Sequence, residues 1–321
     1  MNKKTNRPFM LIIYGPTGVG KTDLALAIAQ ATPAEIINMD AGQFYTPLSI
    51  GTAKPEWKDN PVAHHLFDII NSPINYSVAE YRTILYETVK EIHSRGNIPI
   101  LVGGSGFYLH SLLFSQSSTV EYADISHLYP EGTDLWQKLY EIDPKRAERI
   151  DKSDKYRINR ALGIWHATGK IPSSYAPVYK PEADYLLIFV ERDRKELAER
   201  INARVHEMLK HGWIKEADEL RGTPWESFIK KKNIIGYSEL FDYLSGNKTE
   251  YAFSTMVEKI QSRTRQYAKR QFTFWRKLER EIKKERRYTD TGIGCLETVN
   301  LTNAKIHLYI NELLKRLTYV R

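Results

Sequence analysis

The run from Phe9 to Thr22, FMLIIYGPTGVGKT, commits its part of the chain to one local architecture. Phe9-Met10-Leu11-Ile12-Ile13-Tyr14 is a continuous apolar stretch of the kind buried on both faces of a parallel sheet. Asp23-Leu24-Ala25-Leu26-Ala27-Ile28-Ala29 then reads as a helix with its apolar side toward that sheet. Between them stands Gly15-Pro16-Thr17-Gly18-Val19-Gly20-Lys21-Thr22, a G-x-x-x-x-G-K-T loop. Its glycines let consecutive backbone N–H groups converge on an anion, and the helix N-terminus adds partial positive charge. In such a loop Lys21 reaches the outer phosphate oxygens and the Thr22 hydroxyl ligates Mg²⁺. A Gly-rich turn without a ligand would need neither flank, so the expectation is a di- or triphosphate site on an α/β sheet.

At 321 residues the chain is long enough for such a core and a second, smaller domain. Hydrophobic residues make up 42% and charged residues 27%, a globular balance. No apolar run approaches the length of a membrane span, and the first residues lead into the first strand without a signal-peptide core. One cysteine, Cys295, allows neither an internal disulfide nor a cysteine-based zinc site. These features predict a cytoplasmic protein. The net charge of +8 is concentrated: Arg263–Arg287 holds eleven Lys/Arg and three acidic residues, which leaves the remainder neutral. A basic band on a balanced chain points to a polyanion, although a solvated helix face accounts for the same charges.

Later segments repeat the α/β rhythm. Glu35–Asp40 is a short strand ending in a carboxylate, which places Asp40 near the phosphate loop as a Mg²⁺ partner, a general base or a cap. His64 and His65 are adjacent and point in different directions on any regular element, so packing or hydrogen bonding suits them better than metal ligation. Ser77–His93 has helical spacing, and Asn97–Val102 is a buried strand running into a second Gly-rich turn, Gly103-Gly104-Ser105-Gly106. From about Ser115 polar residues interrupt the pattern, and helices are expected from Asp134 to Ala167. Within them Arg157 and Arg160, at i and i+3, form either a phosphate fork or surface ion pairs. Tyr185–Val190 returns to the sheet, followed by a helix with Arg192, Arg194, Arg200 and Arg204. Arg200 and Arg204 can both face the site, or one can pair with Glu196. In Thr264–Arg276 aromatics interleave with cations, as on surfaces that stack bases, or as in a helix packed on a core.

Together these pieces resemble the bacterial tRNA dimethylallyltransferases, which move a five-carbon prenyl group to N6 of the adenine beside the anticodon. The resemblance runs from Gly15 to Arg276. It rests on GPTGVGKT, Asp40…Gln43…Tyr45, Ile50–Pro55, His64–Ile69 and Leu101–Leu109. It continues through Asp143-Pro144, Arg157…Arg160-Ala161-Leu162, Thr168-Gly169-Lys170, Ile235-Gly236-Tyr237 and Arg265–Gln271. It implies a P-loop NTPase-like parallel sheet core, residues 1–115 and 178–321, with an inserted helical subdomain, residues 116–177, for the anticodon stem. It further implies that Gly15, Pro16, Thr17, Gly18, Val19, Gly20, Lys21 and Thr22 hold the diphosphate of dimethylallyl diphosphate, with Mg²⁺ on Thr22. Asp40 would take the proton of the adenine amine, Ser105 would meet the leaving oxygen or the flipped base, and Arg204, with Arg200 as fallback, would grip the diphosphate. Contacts with tRNA are expected from Asp40, Ala41, Gly42, Gln43, Ser105, Arg157, Arg160, Arg265, Lys269 and Arg270, on a monomer.

The sequence departs from the family's pattern in places. Asp40-Ala41-Gly42-Gln43 stands where the family has Asp-Ser-x-Gln, which removes a hydroxyl and adds backbone freedom at Gly42. Gly163 replaces the usual Glu after Arg-Ala-Leu, and Ser105 replaces a Thr. Three other readings follow from subsets of the motifs: a small-molecule kinase, an adenylate prenyltransferase acting on free nucleotides, and a tRNA-binding protein that has lost its chemistry.

Overall fold

The computed structural model describes residues 7–114, 122–125, 127–175, 177–286 and 295–317. The expected boundary at residues 115 and 116, and Arg287 of the basic band, lie outside them. The chain divides into two compact units, Met1–His110 with Glu182–Arg321, and Ser111–Pro181.

The larger unit is built on six parallel strands. They are β1 (Phe9–Tyr14), β2 (Ala34–Asn38), β3 (His64–His65), β4 (Ile98–Gly103), β5 (Asp184–Glu191) and β6 (Cys295–Asn300), in the spatial order β3-β2-β4-β1-β5-β6. Strand β1 sits between β4 and β5, with Leu11 opposite Ile100 and Leu186. That central place explains its unbroken apolar sequence, since helices cover both faces of a parallel sheet. One layer of the core joins Leu11, Ile13, Ile100 and Ile188 to Leu24 and Ile28 of helix α1 (Lys21–Ala31). Helix α2 (Val78–Ser94) begins with a capping box in which Ser77 and Glu80 exchange hydrogen bonds, and buries Tyr81, Leu85, Val89 and Ile92. Helix α3 (Gly106–Leu113) follows the second Gly-rich turn. After β5 come α7 (Arg194–Lys210), α8 (Trp213–Leu220), α9 (Pro224–Lys232), α10 (Tyr237–Ser245) and the 37-residue α11 (Glu250–Arg286). Strand β6 is one edge of the sheet, and helix α12 (Ile306–Leu317) adds Ile310, Leu313 and Leu317 to the core shared with α1. No helix among the described residues is long and apolar enough to cross a membrane.

The smaller unit is helical, with α4 (Leu135–Ile142), α5 (Pro144–Ala147) and α6 (Lys155–Thr168). Asp134, Asp143 and Asp154 cap these helices through their carboxylates, and Leu139, Ala147, Ile150, Ile158 and Leu162 form a small core. Gly163 has a structural reason here. Ala123 N–H donates to the Gly163 carbonyl at 3.0 Å, and a Cβ on Gly163 would stand 2.5 Å from the Ala123 carbonyl oxygen. Gly163→Ala should therefore destabilise this unit by about 1–3 kcal/mol. A thermal melt matching that of the unaltered chain would contradict the close approach.

The two histidines of β3 serve the fold. His64 Nδ1 lies 2.7 Å from the Val62 carbonyl, and His65 Nε2 lies 2.6 Å from Glu35. Glu35, buried on β2, also accepts from Arg95 Nε and Nη2 and from Asn97 Nδ2. Hydrogen bonds from Arg95 above all, then Asn97 and His65, hold its carboxyl down to about 2. A carboxylate with a depressed native pKa contributes stability above its unfolded pKa of about 4.3 and loses it as pH falls toward the native value. With solvent screening the half-exposed Arg95, that difference is worth about 1–2 kcal/mol. Urea titrations at descending pH should show the unaltered chain losing more stability than Glu35→Gln between pH ~4.5 and ~2; parallel losses would exclude the coupling.

Candidate active site

The phosphate loop joins β1 to α1, and Gly20 caps the helix with a left-handed backbone, φ 100°. Lys21 Nζ donates to the Pro16 carbonyl at 2.7 Å and so lies folded over the loop. Burial pulls its ammonium down to about 7; the nearby Asp40 carboxylate opposes that shift and the Arg204 guanidinium adds to it. Three arginines that follow β5 reach successive loop residues. Arg192 Nε donates to Val19 O at 2.8 Å, Arg200 Nε to Gly18 O at 3.0 Å, and Arg204 Nη1 to Thr17 Oγ1 at 3.4 Å. Glu196 pairs with Arg192, so the alternative of an Arg200–Glu196 or Arg204–Glu196 pair is not the one realised.

Asp40 stands just beyond β2, where it serves as a cap and faces the phosphate loop. Its Oδ1 accepts from Gly42 N–H at 3.0 Å, opening a short 3₁₀ turn over Ala41–Phe44. Its own N–H donates to Asn38 Oδ1 at 2.8 Å, and the buried Asn38 amide donates to Leu66 O at 3.0 Å. Burial raises the Asp40 pKa, against the Gly42 hydrogen bond and the Lys21 and Arg204 charges. Gly42 is less free here than its sequence implies. A Cβ there would come within 2.9 Å of Thr52 Cγ2, so glycine provides close packing as well as backbone freedom.

Two cavities share Asp40, Thr17, Thr52, Ala53 and Arg204 in their walls. The smaller is polar and adds Lys21, Thr22, Gly103, Gly104 and Gln271. The larger, about 470 Å³, adds Ser105, Tyr108, Tyr76, Val205, Tyr267 and Arg270 among others. Its mix of aromatic, aliphatic and basic walls suits a flat, partly apolar guest that carries negative charge. Ser105 precedes α3, and its Oγ accepts from Tyr108 N–H at 3.5 Å.

Of the residues expected from sequence, Thr17, Lys21, Thr22, Asp40, Ala41, Gly42, Gln43, Ser105, Arg204 and Arg270 converge on these cavities. Gln43 does so with its amide engaged, donating to Thr52 O at 3.1 Å and Ala53 O at 3.2 Å. Arg265 turns to Asn202 Oδ1 at 2.5 Å, and Lys269 is exposed on α11. Arg157 and Arg160 belong to the helical unit. Arg157 pairs with Asp154 at 3.4 Å, and Arg160 lies 5.4 Å from the Tyr122 ring. The aromatics of α11 divide by role. Trp275 stacks on Phe189 with centroids 4.6 Å apart, and Phe272 packs edge-on against the same ring, so both are core residues. Tyr267 instead lines the larger cavity.

Gln271, the last residue of the Arg265–Gln271 motif, was given no role from sequence. Buried on α11, it accepts from Thr17 N–H at 2.9 Å and donates to Gly104 O at 2.7 Å, thereby joining the two Gly-rich turns. The available signal was a lone amide within the buried stripe of Ala268, Trp275, Leu278 and Ile282.

A family model described as IPP transferase matches residues 43–278, and one described as ATPase family associated with various cellular activities (AAA) matches residues 11–59. The tRNA dimethylallyltransferase of Petrotoga mobilis is 36% identical over 279 residues, 84% of this chain and 91% of its own. That of Pseudothermotoga lettingae is 37% identical over 281 residues, 85% of this chain and 88% of its own. Among solved structures, the tRNA delta(2)-isopentenylpyrophosphate transferase of Staphylococcus epidermidis aligns with a TM-score of 0.64 at 27% identity, over 98% of this chain and all of the other. A eukaryotic dimethylallyltransferase acting on tRNA aligns with a TM-score of 0.75 at 26% identity, over 96% of this chain and 80% of the other.

Proposed function

Because this chain belongs to the IPP transferase family, we propose that it transfers the dimethylallyl group of dimethylallyl diphosphate to tRNA, at N6 of the adenine beside the anticodon, and releases diphosphate. The observation that carries this reading is the place of Asp40, on the wall shared by a polar, lysine-bearing cavity and a larger aromatic one. A donor diphosphate in the first and an extruded adenine in the second meet beside one carboxylate.

The exocyclic amine of adenine is a weak nucleophile, its lone pair being delocalised into the ring. Asp40 accepts a proton from that amine as the new C–N bond forms, and its burial-raised pKa makes it a stronger base than a solvated aspartate. The bond from the prenyl carbon to the diphosphate oxygen breaks, and charge accumulates on the departing group. Lys21, Arg204 and the backbone N–H groups of the loop stabilise that charge where it develops. An arriving diphosphate also restores the ammonium form of Lys21, whose burial otherwise disfavours it. Ser105 is placed to contact the leaving oxygen or the base.

The donor set suits Mg²⁺ bound chiefly through substrate and water. Among the described residues no cluster of three or more His, Cys, Asp or Glu offers a protein-built metal cage, and Thr22 lines the phosphate cavity. When bound there, the ion would supply further charge neutralisation to the diphosphate. For tRNA we assign Asp40, Ala41, Gly42, Gln43 and Ser105 to the neighbourhood of the target base, and Arg265, Lys269 and Arg270 of α11 with Arg157 and Arg160 of the helical unit to the stem-loop. Residues 116–177 thus serve the anticodon stem. We take the protein to act as a monomer, in the cytoplasm where tRNA is modified.

Four parallel reactions with Mg²⁺ test the assignment: labelled dimethylallyl diphosphate with unmodified tRNA, the same donor with adenosine monophosphate, and ATP with each acceptor. Label should enter tRNA only. Label in the free nucleotide indicates the nucleotide-prenylating activity instead, and consumption of ATP with phosphoryl transfer indicates a kinase.

A further inference from the structure

Accepting the prenyl-transfer reading, we propose that Glu216 is a positioning residue that fixes the Ser49–Ala53 loop as a wall of the reaction cavity. Glu216 lies on α8, more than 160 positions from the loop in sequence. Its Oε2 accepts from Ser49 N–H at 3.0 Å and from Ile50 N–H at 2.7 Å; its Oε1 accepts from Gly51 N–H at 3.0 Å and from the Tyr237 hydroxyl at 2.6 Å. Three successive backbone donors converge on one carboxylate, the arrangement by which a backbone nest holds an anion. Here the anion belongs to the protein, so the loop itself is what is held.

The geometry beyond the clasp makes this more than a surface contact. Immediately after the three donors come Thr52 and Ala53, which line both cavities together with Asp40. Ala53 has a positive φ of 48°, a conformation that alanine does not keep without support. That support comes from two directions. Gln43 donates to the carbonyls of Thr52 and Ala53, and Glu216 holds the N–H groups at the loop's start. Thr52 Oγ1 donates to Leu48 O at 2.6 Å, which fixes its side chain, and its Cγ2 packs on Gly42, whose N–H donates to the Asp40 carboxylate. A chain of contacts therefore runs from Glu216 through the loop to the base. Glu216 touches neither reacting atom; it sets where Thr52 stands against the turn that aims Asp40.

Glu216→Gln is nearly isosteric and keeps one oxygen. Turned one way, its NH₂ faces the Ser49 and Ile50 N–H groups; turned the other, it faces the Gly51 N–H and the Tyr237 hydroxyl, which can rotate to accept, so at least one backbone donor loses its acceptor. The expected result is a transfer rate at saturating substrates reduced at least tenfold. The tRNA and donor concentrations for half-saturation should stay within about threefold, because the residues assigned above to hold them are not themselves altered. Hydrogen exchange at the Ser49, Ile50 and Gly51 amides should rise, and the melting temperature should stay close to that of the unaltered chain. Tyr237→Phe removes only the hydroxyl donor and leaves the three backbone donors paired, so it should keep most of the rate. Three outcomes overturn the proposal. They are an unchanged rate in Glu216→Gln despite faster exchange, a rate lost only in proportion to the unfolded fraction, or an equal loss in Tyr237→Phe. The exchange measurement needs no turnover. An unaltered chain that transfers nothing, while the substitution still loosens these amides, would defeat the prenyl-transfer reading and leave the clasp standing.

Discussion

Asp40→Asn is expected to slow transfer at saturating tRNA and donor by about 10²–10⁴, the range for loss of a positioned general base. That is about 3–5 kcal/mol of transition-state stabilisation. The substitution is informative because it separates the cap seen in the structure from the proposed role as base. As a cap, Asp40 needs only an oxygen to accept the Gly42 N–H, and asparagine supplies one. As a base it needs a lone pair able to take a proton, which the amide lacks. The Asp40 backbone N–H remains tied to Asn38, so the turn should persist. Transfer should therefore collapse while tRNA affinity and the melting temperature hold. If Asp40→Asn loses tRNA affinity in parallel with rate, the carboxylate binds tRNA rather than acting as the base.

Lys21→Met carries the second large effect, a fall of about 10²–10³ in the rate of transfer, as for other removals of a charge-stabilising group. Lys21 is poised over the phosphate loop by the Pro16 carbonyl, in surroundings that already draw its pKa to about 7. Such an ammonium is costly to keep charged until an anion arrives, so its worth is concentrated where diphosphate charge develops. Arginine should not rescue it. The planar guanidinium needs more room than a point charge, and Arg192, Arg200 and Arg204 already crowd the loop. Loss of donor affinity with an unchanged rate at saturating donor would show that Lys21 binds the ground state and the transition state alike.

Much of this site was legible because its information is local. A strand, a glycine loop, a lysine and a helix occupy consecutive positions, and the parallel sheet follows from apolar runs that each bear their own signal. Asp40 was legible for the same reason, as a carboxylate at a strand's end. What escaped notice depends on distant partners. Gln271 earns its role from Thr17 and Gly104, 254 and 167 positions away, and Glu216 from a loop about 165 positions upstream. Neither the basic, aromatic stretch around Gln271 nor the helix that carries Glu216 bears a local mark of these partners. Strand β6, Cys-Leu-Glu-Thr-Val-Asn, lies at the sheet's edge and is only partly buried, so it lacks the apolar signature of the central strands. The interleaved aromatics of α11 carried two readings that only packing separates: Trp275 and Phe272 close on Phe189, and Tyr267 faces the cavity. The departures at Gly42 and Gly163 likewise become intelligible only beside Thr52 and Ala123, the atoms that a larger side chain would meet.

The most direct measurement locates the label. Unmodified tRNA is incubated with the protein, Mg²⁺ and labelled dimethylallyl diphosphate, then digested to fragments and to nucleosides. The account predicts one labelled nucleoside, adenosine prenylated at N6, recovered from the fragment immediately beside the anticodon, and an initial rate of labelling at least about a hundredfold lower when Asp40→Asn replaces the unaltered chain. Label on another base, label elsewhere in the tRNA, or undiminished label with Asp40→Asn would contradict it.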